Sequence, residues 1–466
     1  MAQDTEPSRP NIVAILCDDL GYGDLENYGH PHIKTPHLNQ MADEGIRFTS
    51  FYSAAPVCSP SRVGLLTGRT PNRAGVYDWI PESDPDKPLK SSRNLVEMRK
   101  EEFTIPRMLK DAGYATAMSG KWHCNAMFNS EKQAQPGDHH FDHWFATQNN
   151  ASPSHENPVN FVRNGEPVGK IEGYSCQIVA DEAISWMQSH QKKNPDQPYF
   201  LYVAYHEPHE PVASPADLVT YYEKSGAKNH DEAQYFANVA NLDSATGKIL
   251  AAIDELGERE NTLVIFTSDN GPETLSRYKG AKRSYGSPGE LRGMKLHTHE
   301  AGIRVAGIMR WPSAIKAGQV SDTPVCSLDF LPTFASLSGG KIPEGRHLDG
   351  ADFSPALSGD AIGRHQPLMW VYYNAINGAK AAMRQGDWKI LGSLDGGEFP
   401  NFQQIDESTI SKLKAAKLGD FEVYNVRDDI DESEPRAPGV QQLDGRFQQL
   451  YKQILNDSHV WPRLQK

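Results

Sequence analysis

The sequence predicts an α/β fold: a large, mixed and mostly parallel sheet sandwiched by helices, followed by a smaller C-terminal α+β domain with a short antiparallel sheet. Three observations carry this expectation. Four short apolar or β-branched runs alternate with helical stretches, each run opens directly into a polar cluster, and the pattern shortens after about Pro355.

The runs are Asn11–Leu16 (NIVAIL), Tyr114–Met118 (YATAM), Tyr199–Tyr205 (YFLYVAY) and Leu263–Thr267 (LVIFT). Helical stretches are expected at His37–Glu44, Ile105–Ala112, Ser175–His190 and Asp231–Leu256. Strands alternating with helices imply βαβ units and a sheet buried on both faces. The runs lead into Cys17-Asp18-Asp19, Ser119-Gly120-Lys121-Trp122-His123, His206-Glu207-Pro208-His209 and Ser268-Asp269-Asn270-Gly271. Open α/β sheets bind ligands at the carboxyl ends of their strands, so the four clusters should converge in space. Beyond Pro355, Trp370–Tyr373, Ala381–Arg384 and Trp388–Leu391 read as short antiparallel strands, with Gly386-Asp387 as a hairpin turn and a helix near Val440–Asn456. The expected division is residues 1–361 and 362–466.

A length of 466 residues suits one large domain with a smaller appendage, and 38% hydrophobic residues against 23% charged exclude a disordered chain. Lys and Arg total 47 against 60 Asp and Glu, a net charge of −13 that argues against a nucleic-acid partner. An anionic substrate therefore needs a local positive pocket. Arg277, Lys279, Lys282, Arg283, Arg292 and Lys295, opposed only by Glu290, predict where it lies. Five cysteines without a CxxC pair speak against a disulfide framework or a Cys-rich zinc site, and Cys17 and Cys124 read as small buried groups. No run approaches the ~20 apolar residues of a membrane span, so no membrane partner is expected. The expectation for location is a periplasmic or secreted protein whose signal peptide is absent from this sequence, with an intracellular protein as the alternative.

Asp18-Asp19 and Asp269-Asn270 are oxygen-rich pairs at two strand ends. Either alone reads as a turn or cap, but together they match a hard cation such as Ca²⁺ or Mg²⁺. Cys58 stands just before an expected helix start at Pro60-Ser61, where the positive helix end favours a polarised or anionic group. On the residues alone it is either a nucleophile or an ordinary loop thiol. His30, His32 and His37, and His139, His140 and His143, read as polar or sugar-binding loops rather than zinc sites.

Cys58-Ser59-Pro60-Ser61-Arg62 resembles the C-x-P-S-R signature of the type I sulfatases, and Thr67-Gly68-Arg69 fits its second half. Gly120-Lys121-Trp122-His123, His206-Glu207-Pro208-His209, Asp269-Asn270-Gly271 and Leu291-Arg292-Gly293-Met294-Lys295 with Glu300–Val305 resemble further elements of that family, in family order. Phe421–Asp428 resembles its closing strand. The resemblance implies an alkaline-phosphatase-like fold and hydrolysis of a sulfate ester, with a sulfated carbohydrate as substrate. It implies that Cys58 is oxidised to formylglycine by a formylglycine-generating or sulfatase-maturing enzyme, and that Asp18, Asp19, Asp269 and Asn270 hold Ca²⁺, or alternatively Mg²⁺, with the modified Cys58. The aldehyde hydrate would carry two hydroxyls, one to attack sulfur and one to expel sulfate afterwards. Arg62 and Lys121 would stabilise the hydrate, and His123 would take its proton. Lys295 and His209 would contact sulfate, one donating a proton to the leaving alcohol, while His206 and Arg283 would lie along the substrate.

Met294 and Leu296 replace the usual glycines around Lys295, while His299, Ala301 and Ala306 stand where Tyr, Gly and Pro are common. These departures bear on specificity more than on chemistry. The alternatives are a phosphate or phosphonate monoester hydrolase of the same superfamily and a catalytically inactive sulfated-glycan-binding protein.

Overall fold

Alternate residues of the first apolar run pack on opposite sides of the sheet: Ile12, Ala14 and Leu16 in one hydrophobic cluster, Val13, Ile15 and Cys17 in another. This is the period-two consequence of strand geometry, and it explains why the run is apolar throughout. The computed structural model describes residues 9–88, 91–395, 407–436 and 443–458.

The main sheet has eleven strands: β1 (Asn11–Asp18), β2 (Ile46–Tyr52), β3 (Ala115–Lys121), β4 (His143–Thr147), β5 (Val162–Arg163), β6 (Glu166–Pro167), β7 (Tyr199–Pro208), β8 (Thr262–Ser268), β9 (Arg304–Arg310), β10 (Gln319–Ser321) and β11 (Val325–Cys326). Their order is β10-β2-β9-β8-β1-β7-β3-β4-β5-β6, with β11 also on β2. The four strands expected from sequence are β1, β3, β7 and β8, which lie side by side as β8-β1-β7-β3 with all pairs parallel. Strand β9 runs antiparallel between β8 and β2. β2, β4 and β9 lay outside the sequence expectation, although IRFTSFY and RVAGIMR carry the β-branched and aromatic content of strands.

The helices Pro36–Asp43, Ser175–Lys193 and His230–Glu255 supply apolar residues to one face, and Cys58–Thr67, Ile105–Asp111 and Phe330–Ser338 to the other. The second sheet is β12 (Leu368–Val371), β13 (Ala381–Gln385), β14 (Trp388–Leu394) and β15 (Leu418–Asn425), antiparallel throughout. Gly386-Asp387 makes the expected two-residue turn, with Gly386 at the positive φ of 61° that such a loop requires. The expected C-terminal helix is Leu443–Asp457, and residues 440–442 of that expectation lie outside the described residues. Its Phe447, Tyr451 and Ile454 join the same cluster as Leu16 and Phe51, so one continuous apolar core links the two sheets.

A charged knot pins them together more specifically. Lys389 of β14, fully buried, lies 2.9 Å from both Glu300 and Glu432. Glu300 also accepts from Tyr52 at 2.6 Å and pairs with Arg304 at 3.1 Å. Burial opposes its charge, but Lys389, Arg304 and Arg384 hold the Glu300 carboxyl down at about 2. Replacing Lys389 by Met strands the buried Glu432 carboxylate and leaves Glu300 with Arg304 and Tyr52, and removing one partner of a buried ion pair costs about 3–5 kcal/mol. Lys389→Met should lower unfolding stability by that amount in urea titration; a change within ~0.5 kcal/mol, the range of ordinary surface substitutions, would show that the knot contributes little.

Candidate active site

Register brings the four polar clusters to one edge. Leu16 pairs with Thr267 on one side and with Ala204 on the other, and Gly120 pairs with Ala204, so Asp18, Lys121, His209 and Asp269 emerge together. Gly120 itself is required at this edge: its φ is 113°, and a Cβ would sit 1.9 Å from the Ala204 carbonyl oxygen.

Three carboxylates crowd the centre, and each has a cation. Lys121 Nζ donates to Asp18. Lys295 Nζ donates to Asp19 at 2.7 Å. Arg62, wholly buried, pairs with Asp269 Oδ2 at 2.8–2.9 Å and lies 3.7 Å from Asp18. Burial, then the charge of Asp18, pushes the Asp269 carboxyl up to about 7 in spite of Arg62. For Lys295, burial opposes the charge, but Asp19, Cys58 and Asp18 outweigh it and hold the ammonium well above its ordinary range. The balance of Asp18, Asp19 and Asp269 against Lys121, Lys295 and Arg62 leaves little net charge for an incoming anion.

The residues fit a further cation. Asp18, Asp19, Cys58 and His209 each offer a ligand atom, and these atoms all lie within 4.8 Å of one another. Asp18 Oδ1 and Asn270 Oδ1 are buried with no hydrogen-bond partner, and a buried oxygen left unpaired is costly. Carboxylate and amide oxygens are the donors hard divalent cations prefer. Asp269 Oδ2 is taken by Arg62, while Oδ1 accepts only a long bond from Asp19 N at 3.3 Å and keeps a lone pair to offer a cation. No second group with ligand atoms so disposed occurs among the described residues, and the histidines singled out above pack elsewhere: His30 and His32 against Phe236, His143 on Glu182.

Cys58 opens the helix Cys58–Thr67 as its first residue, two positions earlier than expected, with Val57 as N-cap. The helix end does not make it a ready nucleophile. Burial pushes the thiol up to about 12, outweighing Lys295 and Lys121, so the unmodified side chain is a neutral thiol at physiological pH.

His123 Nε2 lies 2.9 Å from the Ile80 carbonyl oxygen, an acceptor, so Nε2 carries the proton. Its Nδ1 is buried and unpartnered. Burial, Lys121 and Arg62 hold the imidazole neutral, well below its ordinary value. His209 donates from Nδ1 to the Glu210 carbonyl at 2.6 Å, leaving Nε2 3.5 Å from Asp19. Burial lowers its pKa as well. Asp19, His123 and Leu296 all have φ between 53° and 68°, a left-handed backbone rarely adopted by such residues and concentrated here at the site.

A cleft of about 410 Å³ joins Cys58, His123, His209 and Lys295 with Val57, Trp79, Asn149, Asn150, Glu273, Arg277, Tyr278, Leu296 and Tyr372. Two residues expected along the substrate do not reach it. His206 is fully buried on Thr147 Oγ1 at 2.8 Å and edge-on to Phe161. Arg283 is turned to Asp231 at 2.9 Å and the Val212 carbonyl at 2.7 Å. The expected positive patch is partly neutralised. Arg277 is clamped by Glu273, four residues before it and just outside the counted run, while Arg292 donates to the Glu432 carbonyl and Lys279 and Lys282 are exposed. Only Arg277 and Lys295 of that run line the cleft. Trp79, Tyr278, Tyr372, Asn149 and Asn150 escaped sequence reasoning; an aromatic in the polar, proline-bounded stretch Asp78-Trp79-Ile80-Pro81 was the one available signal.

Residues 10–340 match the sulfatase family model. The chain is 36% identical over 386 residues to rat N-acetylgalactosamine-6-sulfatase, covering 79% of this chain and 70% of that protein. It is 35% identical over 408 residues to human arylsulfatase A, covering 82% and 74%. The fold superposes on the crystal structure of Ps i-CgsB in complex with k-i-k-neocarrahexaose with a TM-score of 0.78 and 25% identity, over 97% of this chain and 94% of that one. With a family model spanning most of the chain and relatives of this similarity, the protein belongs to the sulfatase family and is a sulfuric ester hydrolase with an alkaline-phosphatase-like fold.

Proposed function

We propose that this enzyme removes sulfate from a sulfated carbohydrate, using a formylglycine made from Cys58 by a maturing enzyme and a Ca²⁺ held by Asp18, Asp19, Asp269 and Asn270. The observation that carries this reading is the neutral, buried Cys58 thiol facing Lys295 and His209 in one cleft, beside the unpaired oxygens of Asp18 and Asn270. A thiol so held is a poor nucleophile and suits a precursor better than a catalyst. The sugar class is supported by the relatives, two of which are named or titled for a sulfated hexosamine or a carrageenan oligosaccharide.

When bound, Ca²⁺ would supply positive charge that draws the sulfate group and stabilises charge developing on its oxygens. Formylglycine, as its hydrate, supplies two hydroxyls on one carbon, one to bond sulfur and one whose deprotonation lets sulfate leave. The chain's own residues have separable tasks. Lys121 and Arg62 hold Asp18 and Asp269 in place and keep the floor of the cleft from accumulating negative charge. Lys295, kept protonated, faces the same cavity as Cys58 and can bind a sulfate oxygen. His123 can accept a proton at Nδ1 because Ile80 fixes its tautomer and burial keeps it neutral. His209, with its Nδ1–H on the Glu210 carbonyl and burial favouring the neutral imidazole, presents an unprotonated Nε2 toward Asp19, so the Lys295 ammonium is the group able to donate a proton to the leaving alcohol.

Three outcomes test this. Cys58→Ala should abolish sulfate release from 4-nitrophenyl sulfate with an unchanged circular dichroism spectrum, and the peptide containing Cys58 in active wild-type enzyme should be lighter than the thiol form. Normal turnover by Cys58→Ala would falsify the mechanism. His123→Gln should lower kcat by about 10²–10⁴-fold with a smaller effect on KM, the size expected for loss of a general base; a change confined to KM would assign it to binding instead. Adding Ca²⁺ at a hundredfold excess over its dissociation constant should stabilise the chelator-treated protein by about 2.7 kcal/mol in thermal unfolding, and Asp18→Asn should reduce that gain. An unfolding transition indifferent to Ca²⁺ would remove the metal from this reading.

A further inference from the structure

The catalytic cleft has an aromatic side that hydrolysis leaves unused. Among the described residues seven large hydrophobic side chains are strongly exposed, and two of them, Trp79 at 40% and Tyr278 at 37%, line this cleft together with Val57, Leu296 and Tyr372. Exposed apolar surface gathered in a polar-rimmed concavity marks a binding surface.

Both rings are held before any ligand arrives. The Arg93 guanidinium lies 4.3 Å from the Trp79 ring centroid and donates to the Trp79 carbonyl. Trp79 N donates to Asp78 at 2.8 Å, and Asp78 in turn accepts from Tyr372 at 2.9 Å and Asn374 at 2.7 Å. The Arg277 guanidinium lies 5.1 Å from the Tyr278 centroid and is itself clamped by Glu273. Each ring thus has a guanidinium against it, a contact that favours its present orientation beside the cleft.

The polar groups on the same cleft decide what the rings would bind. Asn149 Oδ1 is buried without a hydrogen-bond partner, and Asn150 and the Glu273–Arg277 pair line the cavity with it. A pyranose offers a C–H face to an aromatic ring and hydroxyl donors in its plane. A simple aryl sulfate has neither that C–H face nor hydroxyls to hold it on the rings, so it gains less from them and leaves Asn149 Oδ1 unpaired. We propose that Trp79 and Tyr278 form a stacking platform for the pyranose ring that carries the sulfate, with Asn149 accepting from one of its hydroxyls, and that this platform sets a preference for sulfated sugars over aryl sulfates. The proposal rests on the sulfated-carbohydrate reading above and adds the residues that would enforce it.

The test compares wild type, Trp79→Ala, Trp79→Phe and Tyr278→Ala on 4-nitrophenyl sulfate and on a set of defined sulfated mono- and disaccharides that includes N-acetylgalactosamine 6-sulfate, with circular dichroism checking the fold. For the sugar that wild type cleaves fastest, the ratio of its kcat/KM to that for 4-nitrophenyl sulfate should fall about tenfold in each alanine variant, mainly through KM, and Trp79→Phe should recover much of it. Equal losses on both substrates overturn the platform. Wild type that cleaves 4-nitrophenyl sulfate but no sugar also overturns it, while leaving the sulfatase chemistry standing. If no sulfate ester is cleaved in a Cys58-dependent manner, the catalytic reading fails instead. Calorimetric binding of N-acetylgalactosamine 6-sulfate then decides the platform: weaker binding by Trp79→Ala supports it, and equal or absent binding rejects it.

Discussion

Three buried carboxylates placed within contact of one another are the constraint on which this structure turns. Asp18, Asp19 and Asp269 leave adjacent strands at one sheet edge, where low dielectric magnifies their repulsion. Arg62, Lys121 and Lys295 make the arrangement tolerable by ion pairing, and each arrives from a different element. The cost of the arrangement is visible in the raised Asp269 carboxyl and in the unpaired oxygens of Asp18 and Asn270. A divalent cation held there would relieve both and add positive charge for an incoming anion.

The rest of the fold holds that cluster in a geometry the local chain resists. Asp19, His123 and Leu296 sit in left-handed backbone, which persists only where surrounding contacts over-determine it. Leu296 N donates to the Pro56 carbonyl and its own carbonyl accepts from Ile376 N, so one residue ties the Cys58 loop to the segment after β12. Trp370 Nε1 reaches the Ser53 carbonyl at 2.8 Å, and Tyr372 and Asn374 reach Asp78. The small sheet therefore braces the loops of the site as well as closing the core.

Net charge has less to say about substrate than the sequence suggested. A run of cations with one opposing acid looked like a positive pocket, yet Glu273 pairs with Arg277, Asp231 with Arg283 and Asp19 with Lys295, and the exposed Lys279 and Lys282 do not line the cleft. Linear counting misses these partners because ion pairs form across loops, between residues far apart in the chain. Only Lys295 and Arg277 of the run line the cleft, each already facing a carboxylate, so the segment as a whole does not make the positive pocket.

The central strands were legible because each is apolar throughout and ends in polar residues, a pattern that only a sheet buried on both faces requires. Asp18, Asp19, Cys58, Arg62, Lys121, His123, His209, Lys295, Asp269 and Asn270, the residues proposed for the site, were legible through their resemblance to short family motifs, whose residue types and spacing are local in the sequence. β2 and β9 were not, since IRFTSFY and RVAGIMR mix polar and charged residues into the run and lack the unbroken apolar stretch of the central strands. Nor was the placing of His206 and Arg283, because the turn of the chain after β7 and the partner a loop arginine meets are set only in three dimensions. The sequence by itself determined the chemistry available and the fold class. Only the tertiary structure decided which side chains share the cleft, that the Cys58 thiol is neutral, and that Trp79 and Tyr278 stand beside it, because burial and through-space charge exist only once distant segments are packed together.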